Sequence, residues 1–198
     1  MPEPVQRVRV TRILVRSLNF NYIFFPGVVF HELAHAIASV LMGSRVTGGS
    51  FWGEREAQVV HEEVPGLRGF LISMAPFFFG TALALLFLQL AQSNIRFSPT
   101  PASVFQSLFL YWLAMSAAYH CFPSARDASN ARFELGSWYG RALSFSLGAF
   151  AGLFAWLTLP LFVALYLLTV PLEILGEIAS FGLAWFVVLF FASALWLA

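Results

Sequence analysis

Residues 20–43 read FNYIFFPGVVFHELAHAIASVLMG, an apolar run that carries three ionisable side chains close together: His31, Glu32 and His35. A membrane-spanning helix needs about 20 mostly apolar residues, so the run is long enough to cross a bilayer. An ionisable group at the centre of such a helix costs about 2.5–3.5 kcal/mol on insertion scales. Three of them side by side therefore require compensation, and coordination of a metal ion supplies it. The alternative is a pair of neutral imidazoles that face a helix bundle and bond neighbouring carbonyls.

Similar runs follow at about 69–91, GFLISMAPFFFGTALALLFLQLA, and at about 104–122, VFQSLFLYWLAMSAAYHCF. From Leu143 to Ala198 the chain stays apolar, interrupted at Pro171, Glu173, Gly176 and Glu177, and divides most simply into helices at about 143–170 and 177–198. Composition agrees with this pattern. Of 198 residues 59% are hydrophobic and 11% charged, against roughly 25% charged in ordinary soluble domains. Mean hydropathy is +0.77. A soluble chain of this size still exposes about a third of its unfolded area and could not hide so much apolar surface. The expected fold is thus an all-α integral membrane protein of about five transmembrane helices.

The connections differ in character. Residues 44–68 hold most of the polar side chains, with Gly48, Gly49 and Gly53 and β-prone pieces around Ser50–Trp52 and Ala57–Val60, and predict a small β-hairpin or edge strand after the first span. Residues 93–103 read as a Pro/Ser turn. Residues 123–142 are polar, with Trp138 and Tyr139 where an aromatic belt would lie. Three regions result: an Arg-rich segment at 1–19, a catalytic membrane core at 20–142 and C-terminal transmembrane helices at 143–198. The N-terminal segment does not read as a signal peptide.

Charge excludes some partners. Net charge is +1 and every basic residue is Arg, so there is no basic field of the kind that binds nucleic acid. Arg7, Arg9, Arg12 and Arg16 argue for a cytoplasmic N-terminus, whereas five spans would put Arg126, Arg132 and Arg141 on the other side, so orientation stays open. Ser144, Gly148 and Gly152 form a small-residue face suited to close helix packing.

The chemistry rests on His31-Glu32-Leu33-Ala34-His35, an H-E-x-x-H pattern. Helical positions four apart differ by about 40° in direction and 6 Å along the axis, so both imidazoles can meet one ion. Zinc takes such ligands at about 2.0–2.1 Å. Glu32 lies about 100° round from His31, too far for a third ligand but placed to act as general base on an activated water. A catalytic zinc needs a third protein ligand and one open position. Asp127 is the first choice: it is the only Asp in the chain and follows a Pro-containing break. The alternative is a helix N-terminal acid or a partner for Arg126. His120 is the second choice. Glu173 and Glu177, spaced four apart, are further candidates, more simply read as a surface turn between the last two helices. His120 and Asn130 flank Asp127 and are auxiliary candidates for stabilising an oxyanion.

HELAH inside an early apolar span resembles the site-2 protease superfamily of intramembrane zinc metalloproteases. Other features are similar to that family: a Gly-containing hairpin after the first span, Ser73-Met74-Ala75-Pro76 in the second where the family has a Gly-Pro element, and a Pro-preceded Asp closing the third. The resemblance covers about residues 20–132 and implies a three-helix catalytic core. Asp127 is followed by Ala128 rather than the family's Gly, and Gly80-Thr81 stands where the family offers Asn.

The expected function is hydrolysis of peptide bonds in transmembrane or membrane-associated proteins, with one zinc ion per chain held by His31, His35 and Asp127, and Glu32 as general base. The substrate would enter as an extended strand paired to the hairpin's edge. The partners are the bilayer and this substrate, and the oligomeric state is open. The alternatives are a zinc-binding membrane protein without protease activity, and an ion or solute transporter lined by the buried cluster.

Overall fold

The computed structural model describes residues 20–50, 58–62, 64–97, 99–144, 149–177 and 179–196. The chain is mostly helical with one two-stranded antiparallel sheet. A short helix α1 (Phe20–Ile23) leads into α2 (Phe25–Leu41), followed by β1 (Val46–Ser50), β2 (Gln58–His61), α3 (Leu67–Phe97), α4 (Pro101–Tyr119), α5 (Ala125–Ser144), α6 (Ala149–Glu177) and α7 (Ala179–Trp196). By length and composition α3 can cross a membrane, and among the described residues it is the one helix that can. Phe25–Leu41, Leu157–Leu172 and Phe181–Trp196 are apolar but shorter.

Several boundaries differ from those the sequence predicts. The first run breaks at Phe24, because Pro26 sits in the first turn of α2, where its missing N–H costs nothing. The polar stretch 123–142 is a regular helix rather than a loose connection. Its buried Ala128, Ala131 and Leu135 recur at helical spacing and seat it on α3. Near the C-terminus the helix does not stop before Pro171. α6 runs through Pro160 and Pro171 to Glu177, so no turn lies at Glu173. The side chains of Glu173 and Glu177 lie outside the described residues, as do segment 1–19, Phe51–Ala57 and the small-residue face at 144, 148 and 152.

Helix α2 ends in a Schellman motif. Gly43 takes the left-handed conformation (φ 78°), its N–H bonds Val40 O at 3.1 Å, and Ser44 N–H bonds Ser39 O at 2.8 Å. This reversal delivers the chain into β1. Ser44 Oγ donates to Glu62 O at 2.7 Å, and both strands pack against α2. The ladder pairs Gly48 with Val60, Gly49 with Val59 and Ser50 with Gln58, with an irregularity between Val46 and Gly48. The expected hairpin is present, with its strands displaced a few residues from the predicted β-prone pieces.

Helices α2, α3 and α4 each pack against the other two, while α5 lies on α3 and α7 covers α3 and α4. Two apolar clusters fill the interior. One joins Phe70 and Met74 of α3 to Phe122, Ala131 and Leu135. The other sets Ala84 and Leu88 of α3 against Ala114, Ala117 and Ala118 of α4 and Leu189 of α7. Alanines let the helix axes approach closely, as small residues do in membrane bundles.

The closest approach is at Gly27. A Cβ there would overlap the Ser116 carbonyl and stand 2.6 Å from His120 Cδ2. The position thus admits no side chain while α2 and α4 stay together. Gly27→Ala is expected to lose about 1–3 kcal/mol, the usual penalty for overpacking, despite Ala's better helix propensity. The reading is the thermal midpoint of the detergent-solubilised protein; an unchanged midpoint would mean the two helices part freely.

Candidate metal centre

His31 and His35 lie one helical turn apart on the face of α2 turned toward α3 and α4, their ring centroids 5.0 Å apart. Each imidazole is tethered through Nδ1. His31 Nδ1 lies 2.8 Å from His120 O, and His35 Nδ1 lies 2.9 Å from Ile72 O. A backbone carbonyl only accepts hydrogen bonds, so each Nδ1 must carry the proton. In the neutral ring Nε2 is then left with a bare lone pair. The His120 carbonyl is free to accept because it lies past the last turn of α4, where helix carbonyls have no intrahelical partner.

Both Nε2 atoms face one carboxylate. His31 Nε2 is 3.6 Å from Asp127 Oδ2, and His35 Nε2 is 3.5 Å from Asp127 Oδ1. These separations are too long for N–H···O bonds. They suit a shared cation instead: two ligands each about 2.05 Å from a tetrahedral zinc stand about 3.3 Å apart. One ligand atom from each of the three residues lies within 4.8 Å of the others, so His31, His35 and Asp127 could hold a metal ion. Their side chains keep 14%, 10% and 16% of their exposure, enough for solvent to reach the cluster.

Asp127 is delivered by the start of α5. Ser124 caps the helix: its Oγ accepts from Asp127 N–H at 3.2 Å, while its own N–H and Oγ–H donate to Asp127 Oδ2 at 2.9 and 2.6 Å. This reciprocal arrangement is a capping box with Asp at the third position. Asp127 is therefore both a helix N-terminal acid and a member of the cluster. Burial alone would raise its carboxyl; His31 and His35, when either ring is protonated and carries a proton on Nε2, and the Ser124 hydroxyl outweigh that and hold it well below the usual carboxylate range. Further along α5, Glu134 accepts a hydrogen bond from Gly66 N–H at the start of α3, which fixes the rotation of the helix carrying Asp127.

Glu32 is buried on the same helix at 8% exposure. Among the described residues no hydrogen bond ties up its carboxylate. His120 does not join the donor group. Its carbonyl orients His31, and its Nε2 is buried with no partner among the described residues. Asn130 is exposed on α5, and among the described residues no bond links it to the cluster. Sequence reasoning missed Ser124, Glu134 and the Ile72 carbonyl. The Ser-x-x-Asp spacing was the one available signal for the first, and nothing local marked the second.

The chain matches no family model, no curated protein and no solved structure among those compared with it.

Proposed function

We propose that the protein is a multi-pass integral membrane zinc metalloprotease, similar in its site to the site-2 protease superfamily, that hydrolyses peptide bonds of membrane-associated proteins. The observation that carries this reading is the convergence of two Nδ1-tethered imidazoles on one carboxylate, with ligand atoms all within 4.8 Å of one another, and between the two histidines a Glu32 whose carboxylate has no hydrogen bond among the described residues. A purely structural metal site has no use for that Glu. The membrane assignment draws on the apolar exterior: Phe78 and Leu86 of α3, Phe105 and Leu108 of α4, Leu157 and Leu161 of α6, and Val188 and Phe191 of α7 are all exposed. Apolar surface spread over four helices suits lipid rather than water. Five spans, a catalytic core of α2, α3 and α4, and one zinc per chain belong to the same proposal.

Zinc in such a site supplies Lewis-acid polarisation of the scissile carbonyl and a nucleophilic water near neutral pH. The chain's own residues do the rest. His31 and His35 offer bare Nε2 lone pairs, held in that tautomer by their Nδ1–H bonds. Asp127 brings a carboxylate, aimed by the Ser124 N–H and hydroxyl that donate to its Oδ2. Glu32 accepts the proton of the attacking water and returns it to the leaving amine. The substrate needs an extended backbone at the site, because amides within a helix are already bonded. The β1–β2 hairpin, packed on α2 itself, is the place where such a strand can be added.

The test is zinc content and cleavage measured on one reconstituted preparation. About one zinc per chain is expected, together with cleavage of a single-span substrate that stops on chelation and returns with added zinc. Zinc at that stoichiometry without cleavage of any single-span substrate would favour a non-proteolytic zinc site. Absence of zinc after metal supply would remove the basis of the proposal.

A further inference from the structure

Both carbonyls that orient the imidazoles are ones the helices have left without a partner, and the two are freed in different ways. His120 O is free because α4 ends there. Ile72 O is not at a helix end: α3 runs from Leu67 to Phe97, so this carbonyl would ordinarily accept from the amide of residue 76. Residue 76 is proline. It has no N–H, and its ring pushes away the carbonyl four residues before it. Ile72 is 1% exposed, so water cannot take the place of the missing donor. The donor that does so is His35 Nδ1–H, at 2.9 Å.

We propose that Pro76 is a positioning residue of the metal centre: by removing the one amide that would close on Ile72 O, it reserves that oxygen for His35 and so turns a bare Nε2 toward Asp127. The inference deepens the metal-centre reading and rests on it, but its first consequence, the tautomer of His35, exists with or without metal. A carbonyl already bonded within its helix would be a poorer acceptor for the ring. An untethered imidazole would redistribute its proton to Nε2, where it blocks coordination. The proline thus places a helix defect opposite the one ligand of α2 that is not tethered to a helix end.

The same substitution elsewhere gives the control. Pro171 also lies inside a helix, but among the described residues α6 makes no contact with α2, and Pro171→Ala restores an amide that closes on the carbonyl of residue 167 within α6 rather than on one that faces His31 or His35. The experiment uses the full chain labelled with ¹⁵N-histidine, stripped of metal, in detergent at about pH 8, where ordinary imidazoles are neutral. Long-range ¹H–¹⁵N spectra read the tautomer of each ring. In the wild type His31 and His35 are both expected as the Nδ1–H form. In Pro76→Ala the new amide closes on Ile72 O. His35 is then expected to shift toward Nε2–H, His31 to stay unchanged, and zinc affinity to fall by about 10–100-fold, as when an outer-shell partner of a ligand is lost. Pro171→Ala should leave both tautomers and zinc affinity unchanged. Retention of the Nδ1–H form at His35 in Pro76→Ala, or zinc affinity within twofold of wild type, would overturn the proposal. If Pro76→Ala does not fold, the wild-type spectrum still decides, since an Nε2–H form at His35 contradicts it outright. A wild type that takes up no zinc would sink the protease reading, while the tautomers would still support or reject the role of Pro76.

Discussion

Glu32→Gln is expected to cut peptide hydrolysis by about 10²–10⁴-fold, the range general acid–base catalysis contributes, with zinc still bound at about one per chain. The amide has nearly the shape of the carboxylate, so the packing of a side chain that is 8% exposed is preserved. What it loses is the ability to take a proton. Glu32 is not one of the three residues whose donor atoms converge, so metal content should be insensitive to the change. The loss should fall on kcat, because the interaction removed operates in the transition state rather than in substrate binding. Zinc content and single-turnover cleavage, measured on one preparation, check this directly. Cleavage within threefold of wild type would remove Glu32 from the mechanism. Loss of zinc together with activity would mean that Glu32 supports the metal, as an outer-shell group would.

What could be read from the sequence follows from how local each signal is. The pair His31 and His35 is legible because helical periodicity alone puts residues four apart on one face, and the apolar run around them guarantees the helix. Asp127 is legible for a different reason: it is the only Asp in the chain, and a Pro-containing break precedes it. Neither argument gives the distance between α2 and α5, which Gly27, the buried alanines of α5 and the Glu134 tether set through long-range packing. The polar segment 123–142 reads as a connection because half of its apolar positions are alanine, a weak periodic signal; the structure uses Ala128 and Ala131 to bring a helix close to α3. Pro171 reads as a helix end, yet α6 continues through it, since a lone proline removes one bond from a helix that the rest of its length sustains. Pro76 can be read as a resemblance and not as a mechanism, because the oxygen it frees is engaged by a side chain 37 residues away in sequence.

Asp127 joins two roles, cap and candidate ligand, and three substitutions separate them. Asp127→Asn keeps an acceptor oxygen for the Ser124 N–H and hydroxyl, so helix α5 should start as before and metal-free stability should stay close to wild type. It gives up the anionic ligand, and zinc affinity should fall by more than about 100-fold, beyond what outer-shell partners are worth. Asp127→Ala loses the same affinity and also the carboxylate half of the capping box, with a further loss of about 0.5–1.5 kcal/mol of metal-free stability. Ser124→Ala does the opposite: stability falls by a similar amount, while zinc still binds, weakened by about 10–100-fold through the lost bonds to Oδ2. Thermal unfolding with and without zinc reads both quantities at once. At a free zinc concentration about 100 times the wild-type Kd, binding stabilises the wild type by about 2.7 kcal/mol, whereas a variant weakened 100-fold gains about 0.4 kcal/mol. A zinc-dependent rise in midpoint that survives in Asp127→Asn would show that the carboxylate is only a cap and that the third ligand lies elsewhere. A rise lost in Asp127→Asn but retained in Ser124→Ala would fix the order of causes: the capping box aims the carboxylate, and the carboxylate holds the metal.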